Sequence, residues 1–377
     1  IAAVIVVIMS VTGVALTYQR QMQTWADTGD WRPPAGDAHR AGAEEIFAAL
    51  RRAAPDSMPV SLTLRSQPDE LAAATMTGTI NGPVLVDPYS GAIVPAGPRS
   101  ASVRAFFTSM VSWHRYLATT GDARITGRAI TGASNLLFLF IVLSGLYLWW
   151  PRSLRWPAFR AVLWFRRGLT AKARDFNWHN AMGFWSALPL AIVVASGVVI
   201  SYPWASNLVY RMAGEEAPVR VARGGGGGGG GQPGAAGQPA GAPRYVDNLD
   251  AVVDAVVRTT PGWRSVTIPL PAKRDEPITA SVDTGDGGQP QRRVTVVANR
   301  EQGTIVRVER FADQSTGRRW RSLLRFAHTG EVLGLPGQTI AGIVSVVSVV
   351  LAYTGLALTW RRFTAWTRRR SDRVSTP

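Results

Sequence analysis

Four long stretches without any charged residue constrain the fold of this 377-residue chain more than any other feature. They span residues 1–18, 129–150, 181–205 and 332–360, and all 41 basic and 25 acidic residues lie outside them. Each reaches about 18 residues, the length at which an apolar helix can cross a bilayer. We therefore predict a membrane protein with an all-α four-helix transmembrane bundle, for which the lipid bilayer is the first partner.

The distribution of Lys and Arg predicts how the helices are oriented. Residues 151–180 contain seven basic and one acidic residue, and residues 361–377 contain six and one. The long segments 19–128 and 206–331 are nearly balanced, with 11 basic against 10 acidic and 17 against 13. We expect the short basic segments and both termini in the cytoplasm, with the large loops outside. The net charge of +16 then reflects topology, and no nucleic-acid partner is expected.

Every apolar stretch carries a hydroxyl residue, a glycine, and an aromatic residue five positions after that glycine. The four dipeptides are Thr12-Gly13, Ser144-Gly145, Ser196-Gly197 and Thr354-Gly355. One such match is generic, because small residues pack membrane helices and aromatic residues lie at interfaces. Four in register predict an internally repeated bundle in which some group approaches the helices closely.

Two segments between the membrane stretches repeat the pattern of a small α+β module, each ending in a hairpin. In the first, a helix over 43–54 precedes strands over 60–65 and 74–80 and a hairpin over 83–94. The second copies this with a helix over 249–259, strands over 265–269 and 279–282, and a hairpin over 293–306. The glycine-rich segment 224–243, which contains eight consecutive glycines, is typical of a flexible linker.

The chain has four histidines and no cysteine, which excludes disulfides and thiolate-held iron–sulfur clusters. His39 lies in a polar loop and is expected at the surface. His114, His179 and His328 lie at the ends of predicted membrane helices or of short helices that lead into them. An imidazole is a good axial ligand for haem iron. Interfacial histidines without a ligand, or a site of histidines and carboxylates, are the alternatives.

The positions of these histidines predict how they would pair. We expect His114 and His328 on the outer side, where they can pair, and His179 on the inner side without a partner. His179 precedes Gly197 by 18 residues, and the same spacing before Gly13 places a partner upstream of Ile1. We therefore expect an incomplete first span and two stacked haems, one per leaflet.

Four motifs resemble the PepSY-associated transmembrane family, a bacterial inner-membrane group that includes siderophore-iron reductases. They are WHRYL (113–117), SGLYLWWPR (144–152), WHNAMG (178–183) and AHTG (327–330). The two hairpins resemble PepSY modules, so the implied fold adds two small α+β periplasmic modules to the bundle. The chain departs from the family in lacking the start of the first span, which usually carries its own histidine, and in the octaglycine insertion.

The resemblance implies a haem b oxidoreductase of the inner membrane that reduces ferric iron in siderophores at the periplasmic side. His114, His179 and His328 are its expected haem iron ligands. The ferric siderophore is the expected acceptor, and a cytoplasmic protein or a quinol is the expected donor. A non-enzymatic PepSY binding or regulatory protein is one alternative, and an iron or siderophore transporter is the other.

These expectations divide the chain into alternating membrane and extramembrane segments. The predicted boundaries are 1–20 for the first span, 21–103 for the first module, 104–150 for an interfacial helix and the second span, 151–177 for a cytoplasmic loop, 178–205 for the third span, 206–319 for the linker and second module, 320–360 for a lead-in helix and the fourth span, and 361–377 for a cytoplasmic tail.

Overall fold

A computed structural model describes residues 2–36, 38–149, 156, 160, 163–218, 244–273 and 276–374 of the chain. The predicted linker 224–243 and part of the predicted basic loop lie outside these residues. The chain divides into two compact units. The helical unit comprises Ile1–Gln19, Ala105–Met212 and Trp320–Pro377, and the sheet unit comprises Arg20–Arg104 and Ala213–Arg319.

The secondary-structure elements follow the sequence patterns closely. The helices are α1 (Ala2–Leu16), α2 (Gln19–Thr28), α3 (Ala43–Ala53), α4 (Ser100–Tyr116), α5 (Ala123–Trp149), α6 (Ala171–Ser201), α7 (Pro203–Met212), α8 (Leu249–Thr259), α9 (Thr316–His328) and α10 (Gly334–Val374). The strands are β1 (Ser57–Arg65), β2 (Ala72–Gly78), β3 (Gly82–Val86), β4 (Ile93–Val94), β5 (Ser265–Pro269), β6 (Ile278–Asp283), β7 (Arg293–Asn299) and β8 (Thr304–Arg310).

Three helices in the described residues are long and apolar enough to cross a membrane: α5, α6 and the helix over 331–368. A fourth span is present if α1 and α2, which are bent by 43° relative to each other, count as one. Within the helical unit, α1 packs on α5 and α10, and α6 packs on the same two helices. These features are those of a multi-pass membrane protein.

The third predicted span and the helix found there have different bounds. It was expected over 178–205, but α6 runs over Ala171–Ser201, because residues 171–180 contain no helix breaker. Pro203 lacks the amide hydrogen that would extend the helix, and it opens α7 instead. His179 therefore lies well inside α6, and the acidic Asp175 belongs to the same helix. The charge-free stretch 181–205 is thus shorter at its start than the helix found there.

The two repeated segments of the sheet unit join in one antiparallel sheet of eight strands. Its order is β4-β3-β2-β1-β5-β6-β7-β8, so the first strands of the two segments pair at the centre. Leu62 lies opposite Ile268 in this pairing, and both are almost fully buried. The hairpins at β3–β4 and β7–β8 take the two edges.

One face of the sheet is covered by α3 and α8, whose apolar sides complete a single core. The two helices also cap each other. The Asp250 carboxylate of α8 accepts hydrogen bonds from the backbone amides of Ala43 and Glu44 at the start of α3. Glu44 in turn accepts from the backbone amide of Asp250 at 3.4 Å. A side-chain oxygen at a helix start satisfies amides that have no partner within the helix.

Candidate functional site

The structure brings His114 and His328 together in the helical unit, as their positions in the sequence predict. His114 lies near the end of α4, and His328 is the last residue of α9. Their ring centroids are 6.2 Å apart, and the rings are inclined by 62°. Two imidazoles separated by 213 residues of sequence thus face one small volume.

Each ring of this pair is held through its Nδ1 atom by a different membrane helix. Nδ1 of His114 lies 2.9 Å from the Met9 carbonyl oxygen and 3.0 Å from Thr12 Oγ1. Nδ1 of His328 lies 2.8 Å from the Val193 carbonyl oxygen and 3.4 Å from Ser196 Oγ. A carbonyl oxygen only accepts hydrogen bonds, so Nδ1 carries the proton and donates. The lone pair of each Nε2 is then available to a metal.

His179 repeats this arrangement elsewhere in the helical unit. Its Nδ1 lies 2.9 Å from Thr354 Oγ1, and the Leu351 backbone is a second partner of the ring. In all three cases the hydroxyl residue and the carbonyl three positions before it hold Nδ1. The hydroxyl–glycine repeat therefore marks places where an imidazole docks on a membrane helix.

The glycine of each repeat allows the ring to approach. A methyl group added at Gly13 would lie 3.7 Å from Cε1 of His114, and one at Gly355 would lie 3.5 Å from Cε1 of His179. At Gly197 the corresponding distance to Cε1 of His328 is 3.2 Å. Larger side chains at these positions would reach the rings. In three of the four repeats, the group predicted to approach the helix closely is therefore an imidazole.

The fourth copy of the repeat, Ser144-Gly145, holds no imidazole among the described residues. Ser144 Oγ donates to the Ile141 carbonyl at 3.1 Å, and a methyl group added at Gly145 would meet no atom within 4 Å. Gly145 instead lines a cavity of about 400 Å³, together with His179. The other lining residues come from α1, α5, α6 and α10 and are mostly apolar.

Burial keeps the paired histidines neutral. Loss of hydration, followed by the proximity of His328, lowers the pKa of His114 from 6.5 to about 4. Loss of hydration also lowers the pKa of His328. Both side chains keep a partly exposed surface, but their rings are shielded enough for desolvation to disfavour the charged form. Neutral imidazoles are the form that can ligate a metal.

A buried ion pair lies one helical turn from His179 and was not foreseen from the sequence. Asp175 is 2 % exposed, and its Oδ2 lies 2.9 Å from Nη1 of Arg361 in α10. Arg174 approaches the other carboxylate oxygen at 3.2 Å. The available signal was that Asp175 is the single acidic residue in the basic segment 151–180. The pair ties α6 to α10 near His179.

The fourth histidine, His39, is exposed in the sheet unit, as its polar loop predicts. Within the described residues, no group of three or more His, Cys, Asp or Glu side chains could hold a metal ion. Metal binding at His114, His179 or His328 would therefore use one imidazole or a pair of imidazoles.

The family model described as PepSY-associated TM region matches residues 1–362. The chain belongs to the PepSY-associated TM family. This confirms the resemblance carried by the four motifs. No curated protein matches the chain. In this member of the PepSY-associated TM family, the motifs WHRYL, WHNAMG and AHTG supply the three imidazoles that dock on the hydroxyl–glycine repeats.

Proposed function

We propose that this protein is a haem-containing oxidoreductase of the bacterial inner membrane that passes electrons outward to ferric iron held by siderophores. The proposal includes a four-helix bundle, with the termini in the cytoplasm and the sheet unit as a pair of periplasmic PepSY modules. The separation of His114 and His328 is the observation that supports it most.

The His114–His328 pair fits an axial ligand set. A ligating imidazole nitrogen lies about 2 Å from a transition metal, and about 1 Å from its own ring centre. Two imidazoles on one iron therefore have centroids about 6 Å apart, and the observed separation is 6.2 Å. Their Nδ1 atoms are already held by backbone carbonyls, which fixes the tautomer that ligation through Nε2 requires.

His179 would hold a second haem in the cavity that it lines. The ring is fixed through Nδ1 in the same way, and the apolar cavity of about 400 Å³ adjoins it. The second ligand of that haem would dock at Ser144-Gly145, the copy of the repeat without an imidazole. Haem b supplies reversible one-electron transfer when bound, and the protein tunes its potential through ligands and burial.

The side chains of this protein would divide the work between the two sites. His114 and His328 would fix the group from which the acceptor takes an electron. His179 would hold the group that receives electrons from a cytoplasmic or quinol donor. Two such sites in series would shorten each transfer across the hydrocarbon layer.

Absorption spectroscopy of the purified protein tests this proposal. The full chain in mild detergent is compared before and after dithionite reduction, with a pyridine haemochrome measurement of haem per chain. We expect sharp reduced bands of a bis-imidazole haem that diminish in His114→Ala and His328→Ala, where the new side chain cannot ligate iron, and that are retained in His39→Ala, the exposed control. Absence of haem after expression with ample haem supply would overturn the oxidoreductase and leave a binding or regulatory protein.

Reduction of a ferric siderophore is tested separately from haem binding. The dithionite-reduced protein is freed of reductant and mixed with a ferric siderophore under anaerobic conditions. We expect the reduced bands to disappear as a ferrous chelator in the mixture develops colour. If the haem stays reduced under these conditions, haem binding stands and the ferric siderophore is refuted as the electron acceptor.

A further inference from the structure

The part of the helical unit next to His114 and His328 carries a cluster of arginines. The four members, which we call the arginine rim, are Arg115, Arg124, Arg128 and Arg325. The segments that hold them, 113–131 and 320–333, contain two acidic residues and no lysine. The rim therefore has a clear excess of positive charge.

Two members of the rim, Arg115 and Arg325, lie beside the paired histidines. Thr131 Oγ1 donates to the Arg115 carbonyl at 3.0 Å, which ties the start of α5 to the end of α4. Arg115 adjoins His114 in the chain. Arg325 lies one helical turn before His328 on α9, and each of these two arginines acts electrostatically on its neighbouring imidazole. Each imidazole of the pair thus has one arginine of the rim as a charged neighbour.

The charges of the rim are held in place without being neutralised. In the part of the chain that the structure describes, Arg115, Arg124, Arg128 and Arg325 form no ion pair. Arg115 and Arg124 lie over the same ring of Tyr116, with guanidinium carbons 5.2 and 4.5 Å from its centroid. Aromatic stacking orients a guanidinium and leaves its charge and donors available.

The remaining contacts of the rim are also with neutral groups. Arg128 donates to the Ser201 carbonyl at 3.2 Å. Arg325 lies over the Phe326 ring at 5.8 Å. By contrast, Arg361 near His179 is paired with a buried carboxylate. The protein therefore compensates a cation near His179 and leaves the rim available.

Membrane insertion does not account for these arginines. Positive residues accumulate on the cytoplasmic side of membrane proteins, and the proposed topology places the rim on the opposite side. Unpaired arginines in this position are suited to an anionic ligand, because a planar guanidinium binds carboxylates and other oxyanions with two parallel hydrogen bonds.

We propose that the arginine rim selects a ferric chelate with net negative charge, one whose free carboxylate or phenolate oxygens face the guanidinium groups. This inference rests on the proposed function and names the substrate class for the same site. A reduced haem held by His114 and His328 would supply the one electron that takes the chelated iron from Fe(III) to Fe(II), and that haem would be oxidised by one electron. No bond to the protein forms, so the rim acts by attracting and orienting the acceptor.

Oxidation of the reduced full-length protein by two outer-sphere probes of opposite charge tests the inference. The probes are the trianion hexacyanoferrate(III) and the trication hexaammineruthenium(III), each mixed in a stopped-flow instrument over a range of salt concentrations. Electrostatic steering changes association rates by about tenfold or more and is screened by salt. We expect added salt to slow oxidation by the anion and to accelerate oxidation by the cation.

Charge reversal locates the effect. In Arg124→Glu/Arg325→Glu we expect oxidation by the anion at low salt to fall by about tenfold. The control Arg362→Glu/Arg368→Glu makes the same change of net charge on α10, far along the chain from the rim, and should leave the rate within about twofold. Equal losses in both variants would show a general charge effect and overturn the rim as a docking site.

Binding of hexacyanocobaltate(III), a redox-inert trianion, separates this inference from the proposed function. We expect calorimetry to detect binding that Arg124→Glu/Arg325→Glu abolishes. If the protein contains haem but shows neither binding of the trianion nor a salt effect, the proposed oxidoreductase stands and the rim is refuted as a docking site. If the trianion binds through the rim but the protein contains no haem, the proposed oxidoreductase is refuted and the rim stands as an anion-binding site. Displacement of the trianion by phosphatidylglycerol would identify a lipid headgroup as the occupant and overturn the chelate.

Discussion

Gly197 is the position at which the smallest change should disturb the two-histidine site most. A methyl group added there would lie 2.9 Å from Asn135 Nδ2 and 3.2 Å from His328 Cε1. Neither neighbour is free to move. The buried Asn135 amide donates to the Val194 carbonyl at 3.0 Å, and the His328 ring is held by the Val193 carbonyl at 2.8 Å.

The expected cost of Gly197→Ala follows from these contacts. Alanine is favoured over glycine inside a helix by about 1 kcal/mol. Overpacking a closely packed site costs about 1–3 kcal/mol, and a displaced amide hydrogen bond adds about 1 kcal/mol. The net change is a destabilisation of about 1–3 kcal/mol, accompanied by a shift of the His328 ring.

Gly13→Ala is the matched control in the equivalent repeat. Its added methyl group would meet Ser345 Oγ at 3.4 Å and His114 Cε1 at 3.7 Å, which are ordinary contacts. The helix preference of alanine then remains uncompensated, and we expect a change between zero and about 1 kcal/mol in favour of folding. The two glycine variants should therefore differ by about 2 kcal/mol.

Thermal inactivation in detergent and the haem spectrum measure this difference. We expect the inactivation midpoint of Gly197→Ala to fall by several degrees relative to Gly13→Ala, with broadened or diminished reduced haem bands. Asn135→Ala in the Gly197→Ala background should recover part of the loss, because it removes the nearest obstructing atom. Equal midpoints and spectra for the two glycine variants would refute the close packing of His328 against α6.

The remaining predictions concern contacts that hold the sites in place. Arg361→Gln should lower the thermal inactivation midpoint more than Arg362→Gln, since only the former leaves buried Asp175 without its close partner; equal midpoints would show that the pair contributes nothing. Asp250→Ala should destabilise α3 by about 1 kcal/mol, seen as faster amide exchange in the full chain, whereas Asp254→Ala on the exposed side of α8 should not. Thr12→Val should raise the midpoint potential of the haem at the two-histidine site, because it removes an acceptor of the His114 Nδ1 hydrogen bond and makes the ligating imidazole less basic; an unchanged potential would show that the Met9 carbonyl suffices.

Much of the local structure could be predicted from residue patterns. The predicted strand over 265–269 and helix over 249–259 have the observed bounds, and most described residues of each apolar stretch are helical. These features depend on periodicity, turn residues and apolar length, which are properties of neighbouring residues. Helix ends were less certain, since α6 continues through residues that carry charge.

The sequence by itself determined which side chains could carry chemistry in this protein. With four histidines and no cysteine, the imidazoles were the main candidate ligands for haem iron, and the repeated hydroxyl–glycine pairs marked their docking places without explaining them. The residue motifs also sufficed to place the chain in its family.

Tertiary structure alone decided which groups meet. His328 rests on Val193 and Ser196, more than 130 residues away, and Thr12 lies 102 residues from His114. The same holds for the joining of two repeated segments through β1 and β5, and for the pairing of Asp175 with Arg361. Local periodicity specifies the face of an element, but the partner of that face depends on how helices and strands pack, which no short stretch of residues encodes.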